Sequence, residues 1–271
     1  MFEALGFAFM QQAVLAGVLV SIAAGVIGAL VVVNRLVFLS GGVAHSAYGG
    51  IGLAFFLGIP PLLGAGLVGV LSALLMAWVT LTQRHRSDTV IGVIWAVGMA
   101  LGVVLIDLTP GYGADLMSYL FGSIMAAGWG DLVLFALLDV AIVGLVAIFY
   151  RPLLALSFDD RFARIKGVKV RTLYLMMLVL AALTVVMAIR VVGLMLVIAL
   201  LTIPTWMAER HAATLAGMMA LAALYAAVFT LAGLALAYGF NLTSGAAIIL
   251  AAGCGFVLSE GAARLKRAAG Y

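Results

Sequence analysis

The chain alternates long apolar stretches with short polar breaks. At about 1.5 Å of rise per residue, about 20 apolar residues span the hydrocarbon of a bilayer. Stretches of that length fall at 11–33, 37–58, 62–82, 90–108, 131–150, 171–189, 191–208, 213–237 and 244–262. The breaks carry turn chemistry or charge: Asn34-Arg35, Gly58 to Pro61, Gln83 to Asp88, Thr109-Pro110-Gly111 and Asn241 to Ser244. The pattern predicts an all-α polytopic transmembrane helical bundle of about nine spans (8–10), a single transmembrane domain over residues 1–271. Residues 116–128 are also apolar but too short to cross, and read as a re-entrant or interfacial piece, which requires protein around its backbone. The first apolar run is preceded by Glu3 and by no Lys or Arg, so it reads as a retained helix rather than a cleavable signal.

Composition places the surface in lipid: 67% of the residues are hydrophobic and 9% charged, against about 25% charged in soluble proteins. The 32 glycines then have a packing role, because lipid gives helices little hydrophobic reason to associate and small residues let backbones approach. Ala13, Gly17, Ser21, Gly25 and Ala29 form one small face of the first span, and Gly49-Gly50-Ile51-Gly52 reads as helix packing rather than a phosphate loop. Cys254 excludes an internal disulfide and is expected as a small buried apolar residue.

Orientation follows from the basic residues. Arg35, Arg84, Arg86, Arg151, Arg161, Arg164, Lys166, Lys169, Arg171, Arg210, Arg264, Lys266 and Arg267, 13 of the 14, share one side if nine spans alternate, and only Arg190 is left over. The N-terminus is therefore expected outside and the C-terminus in the cytoplasm. The net charge of +4 then belongs to loops facing anionic lipid, with no nucleic-acid partner implied.

No G-x-x-x-x-G-K-[ST] phosphate loop, zinc-type C-x-x-C, H-E-x-x-H or G-x-S-x-G occurs in the sequence, so no enzyme activity is expected, and if the chain takes part in powered transport the power comes from elsewhere. The cytoplasmic loop 151–171 carries the signals of a short helix over roughly 159–166. Ser157 is placed to cap it with Asp160 three residues on, Asp159 and Asp160 lie at its positive end, Arg164 and Lys166 at its negative end, and Gly167 supplies a left-handed stop. Such a helix is either a solvated connection or a coupling helix that enters a separate ATPase.

An ordered set of motifs resembles the permease subunits of zinc- and manganese-uptake ABC transporters (the ABC-3 family). It runs through Arg35 to Leu39, Gly41-Gly42-Val43-Ala44-His45-Ser46-Ala47, Ile91-Gly92, Ala100 to Val103, Ser118 to Gly122, Phe158 to Ala163 with Gly167-Val168, Val191 to Val197, Ile203-Pro204 and Thr243 to Ile248. The resemblance implies a homodimer in a prokaryotic plasma (inner) membrane, cytoplasmic ABC ATPase subunits that use the ATP, and an extracellular or periplasmic metal-binding solute-binding protein. It implies no permanently bound cofactor and a transported divalent ion, zinc first, with manganese or iron as alternatives. It makes Phe158, Asp159, Asp160, Ala163 and Gly167 the ATPase-coupling residues and His45 a transient metal ligand.

His45 also stands out physically, since an ionisable group inside a span is costly and should face the bundle interior, while His85 and His211 fall in loops. The alternative is a hydrogen-bonded structural histidine. Many members of the family carry Asp one turn earlier, where this chain has Gly41, a departure that points either to passage of the ion on fewer ligands or to its binding elsewhere. Asp139 lies within a span as a pathway group or a satisfied interior carboxyl. Asp107 and Asp115 flank an external turn as entry ligands or solvated charges. Glu260 is expected to pair with Arg264, and Trp206 to reshape the inner end of the 191–208 span. Outside this reading stand an importer of a metal chelate or vitamin, a self-sufficient secondary transporter, and a membrane-embedded enzyme.

Overall fold

The computed structural model describes residues 6–82, 87–109 and 116–268. Among these the chain is all-helical: α1 (Ala8–Val33), α2 (Val37–Leu57), α3 (Pro61–Thr82), α4 (Ser87–Asp107), α5 (Leu116–Phe121), α6 (Trp129–Ile148), α7 (Tyr150–Phe158), α8 (Asp160–Ile165), α9 (Val170–Val192), α10 (Val197–Glu209), α11 (Leu215–Phe240) and α12 (Ser244–Ala268), with a 3-10 turn at Ile124–Ala126. Seven of them, α1, α3, α4, α6, α9, α11 and α12, are long and apolar enough to cross a membrane. This is fewer than the nine apolar runs. α2 has the length, with 21 residues, but five glycines, two serines and His45 dilute its apolar character. α10 has only 13 residues, because the run at 191–208 is split: its first residues finish α9, and Gly193, at φ +83°, turns the chain before α10 begins.

Helices α1 and α9 are central and largely buried, and α4, α6 and α12 lie outside with most of their surface open. The open surfaces are apolar, as on α3 (Leu67, Leu71, Trp78), α4 (Val97, Leu101, Val104) and α6 (Val133, Leu137, Val140), which suits lipid as the solvent. Small residues set the distances between helices. The stripe Ala13, Gly17, Ser21, Gly25 and Ala29 is buried throughout. It faces α11, where Gly25 meets the backbone of Ala223 and the Ser21 hydroxyl lies 3.3 Å from that of Thr230. Helix α2 is clasped between α3 and α4 through pairs of glycines, Gly50 on Gly64, Gly49 on Gly98 and Gly52 on Gly102, the packing role expected of Gly49 to Gly52.

Residues 116–128 form two short pieces broken at Gly122 (φ +76°). Six helical residues rise only about 9 Å, far less than a bilayer core. The peptide groups of this segment find partners in the α9–α10 connection and the start of α12. Leu194 N donates to Tyr119 O (3.0 Å), Ser123 N to Arg190 O (3.3 Å) and Ile124 N to the Ser244 hydroxyl (3.2 Å). Gly122 and Gly193 pack backbone on backbone, where neither has room for a Cβ. Arg190, the basic residue that did not fit the loop pattern, closes the same region: its Nε lies 3.4 Å from Asp131 Oδ2, and its Nη2 donates to Ala126 O at 3.2 Å.

Two local expectations are corrected. Ser157 does not cap α8; it lies inside α7, where its hydroxyl accepts from Asn34 Nδ2 at 2.9 Å. The cap is Asp159, whose carboxylate accepts from the amides of Arg161 (2.8 Å) and Phe162 (3.3 Å). Asp caps a helix about as well as Ser, so the helix starts where the extended residue falls. Cys254 is exposed on α12 rather than buried, since an apolar run in a membrane protein does not tell an inner face from an outer one.

Candidate functional site

His45 sits in the middle of α2. The glycine contacts of α2 with α4 bring Trp95 of α4 against it, the two rings stacked at 4.1 Å between centroids and 16° between planes, with Phe38 beside Trp95 at 6.0 Å. His45 is half-buried, and its Nδ1 is buried without a hydrogen-bond partner. A structural histidine ordinarily has that nitrogen bonded. An imidazole held in place by ring stacking, with one nitrogen unclaimed, is instead suited to lend a lone pair to a passing cation. One turn earlier, a Cβ on Gly41 would lie 2.7 Å from Ile198 Cδ1 of α10 and 3.9 Å from the Trp95 ring. Because the tight contact is the tip of a flexible side chain, a larger residue fits there once Ile198 rotates.

Asp139 of α6 is 6% exposed, and neither carboxylate oxygen has a hydrogen-bond partner. It is not satisfied by a hydroxyl or carbonyl, but it is not joined to His45 either: α6 packs on α1 and α9, while α2 packs chiefly on α3, α4 and α9. Among the described residues no group of three or more His, Cys, Asp or Glu side chains comes together. Asp107 is exposed at the end of α4, and Asp115 and His85 lie outside the described residues. His211 is a structural histidine, its Nδ1 2.9 Å from Met207 O.

The connection between α6 and α9 is a helical hairpin. α7 is braced to the bundle by the Asn34–Ser157 bond and by the Tyr150 hydroxyl, which accepts from Ala216 N at 3.1 Å. Asp160 pairs with Arg164 at 3.5 Å, and Gly167, at φ +78°, ends the turn as expected. Phe158 and Ile165 are each 84% exposed and Phe162 51%, whereas Ala163 is fully buried against its own chain. Phe162 and Ile165 were not singled out from the sequence beside Phe158, although apolar side chains among so many charges are a visible signal. On α12, Glu260 pairs with Arg264 (3.8 Å), as expected, and more closely with Arg210 of α10 (2.8 Å). The Arg210 guanidinium lies 3.8 Å from the Trp206 ring, which rests on Phe256 at 4.7 Å, so Trp206 packs in the seam between α10 and α12.

Known proteins and solved structures are similar to the chain in overall sequence and fold. A manganese transport system membrane protein of Halalkalibacterium halodurans is 32% identical over 257 residues, 95% of this chain and 88% of its own length. An uncharacterised membrane protein of Synechocystis sp. is 49% identical over 259 residues, 96% of this chain and 92% of its own. Among solved structures, PsaBC from Streptococcus pneumoniae in complex with a Fab superposes with a TM-score of 0.87 at 31% identity, covering 95% of this chain and 93% of that one. The model of the ABC 3 transport family matches residues 6–261, and the chain belongs to that family.

Proposed function

We propose that this chain is the membrane-spanning subunit of an ATP-driven importer of a divalent transition metal ion and forms the gated path for it. The observation that carries the reading is His45, with an unclaimed buried nitrogen on a helix packed close by its glycines. The relatives named for manganese transport move manganese ahead of zinc as the cargo. With Gly41 where a carboxylate would complete a pair, the ion meets few ligands and is held briefly, which suits a path more than a store. Asp139 stands as a second, separate point on the path, and Asp107 and Asp115 as charges at its outer mouth.

The chain works as a homodimer with two cytoplasmic ABC ATPase subunits and an external solute-binding protein. Hairpin α7–α8 is the coupling element, offering Phe158, Phe162 and Ile165 to the ATPase while Asp159, Asp160, Ala163 and Gly167 shape the turn. Helix α2 crosses along with the seven, the split run at 191–208 completes a ninth crossing through the Gly193 connection and α10 together, the 116–128 segment re-enters without crossing, the N-terminus lies outside and the C-terminus inside. The test is metal retention by the purified permease, read by mass spectrometry, in wild type, His45→Ala and Gly41→Asp. Retention should fall in the first variant and rise in the second. Equal retention in all three would remove His45 from the path.

A further inference from the structure

A groove runs along the bundle at the level where α1 and α3 end and α9 begins. Two adjoining cavities form it and share Leu81, Arg164 and Val170. Four cations line it, Arg35, Arg164, Lys169 and Arg171, against one acid, Asp160, which Arg164 already engages at 3.5 Å. Arg35, Lys169 and Arg171 have no carboxylate partner among the described residues. Leu81, Leu156 and Val170 give the lining an apolar part, beside the uncharged polar side chains of Asn34, Thr80, Thr82, Thr172 and Tyr174. Arg35 adds an independent sign of purpose. It occupies the left-handed position that closes α1, at φ +58°, where glycine or asparagine is the ordinary choice. The chain keeps an unfavourable backbone there, and the residue that bears it lines the groove.

We infer that this groove binds the phosphodiester headgroup of an anionic phospholipid from the cytoplasmic leaflet, with the first acyl carbons against Leu81, Leu156 and Val170. Charge and depth both select this occupant. The net positive lining matches the anionic leaflet, which attracts basic residues at the ends of spans, and the groove opens where the spans meet headgroups. Topology alone requires cations on this side but not their convergence on one groove beside apolar side chains. The inference takes the cytoplasmic orientation of the basic loops from the proposed function and nothing from the metal path.

The test is native mass spectrometry of the full chain purified in mild detergent, with phosphatidylglycerol or phosphatidylcholine supplied at equal concentration. Wild type should retain phosphatidylglycerol in preference to phosphatidylcholine. Arg35→Gln, Lys169→Gln and Arg171→Gln should each weaken that retention about fivefold, and the triple variant on the order of 100-fold. Arg151→Gln, an exposed cation outside the groove, should leave it unchanged. The single variants keep the test decisive if the triple variant folds poorly. Unchanged retention in all the groove variants would overturn the inference. Displacement of the lipid by an equal concentration of inorganic phosphate would reduce the groove to a plain anion site. Groove variants that keep the lipid but lose a co-purified ATPase would assign it to a protein partner instead.

Discussion

Replacing Phe158 and Ile165 by alanine strips the coupling hairpin of its two most exposed apolar side chains. Each is 84% exposed in the isolated chain, so nearly all of its area is available to a partner and almost none supports the fold. Full burial of such a side chain contributes about 1.5–3 kcal/mol. The two together offer about 3–6 kcal/mol, of which about 2–4 kcal/mol survives the ordering cost of association. At about 1.4 kcal/mol per factor of ten, the double variant should bind its ATPase roughly 30- to 1,000-fold more weakly while reaching the membrane in normal amount. The assay is a titration of purified permease with ATPase in detergent, alongside size-exclusion chromatography of the permease alone. Ala163→Arg behaves differently. The resemblance makes Ala163 a coupling residue, but its side chain is fully buried in its own chain. A charge there costs more than about 3 kcal/mol, so folded yield should fall together with ATPase binding. Unchanged ATPase affinity in the Phe158→Ala, Ile165→Ala variant would refute the assignment of this hairpin.

In a chain carrying Cys254→Ala, needed because Cys254 is itself exposed, a cysteine at Arg164 should label only from the cytoplasm and one at Thr243 only from outside; labelling of Thr243→Cys from the cytoplasm would mean that the crossings are miscounted. Gly25→Val should destabilise the bundle by at least about 1–3 kcal/mol, because the new side chain meets the Ala223 backbone, which cannot move aside. Thermal aggregation in detergent reads this, and a wild-type profile would contradict the α1–α11 packing. Glu260→Gln should loosen the seam between α10 and α12 by releasing Arg210 from its 2.8 Å contact, raising proteolysis after Arg210, whereas Trp206→Phe keeps a ring under the guanidinium and should not.

What the sequence made legible was what helical spacing and backbone chemistry enforce. The stripe from Ala13 to Ala29 and the Gly49 to Gly52 cluster were readable because close helix approach tolerates only small residues. Gly167 was readable because few other residues adopt its backbone. The end of α9 was not, because Val191, Val192 and Leu194 are as apolar as the span before them and only Gly193 marks the turn. Cys254 was misplaced for a related reason: periodicity separates faces only where the solvent is polar, and around α12 the lipid is as apolar as the core. Ala163 lies on a helix of six residues, too short for a period to mark its inner face. His45 was legible as a costly group in a span, but its stack on Trp95, 50 residues away in sequence, depends on packing between α2 and α4 that no local pattern records.

The most direct measurement is uptake of radioactive manganese into liposomes carrying the permease with its ATPase and its solute-binding protein. Uptake should require ATP inside the assembly's cytoplasmic side, should be competed by zinc, and should fall at least tenfold in His45→Ala while ATP hydrolysis remains coupled to assembly. Uptake that is independent of ATP, or equal in wild type and His45→Ala, would contradict the account.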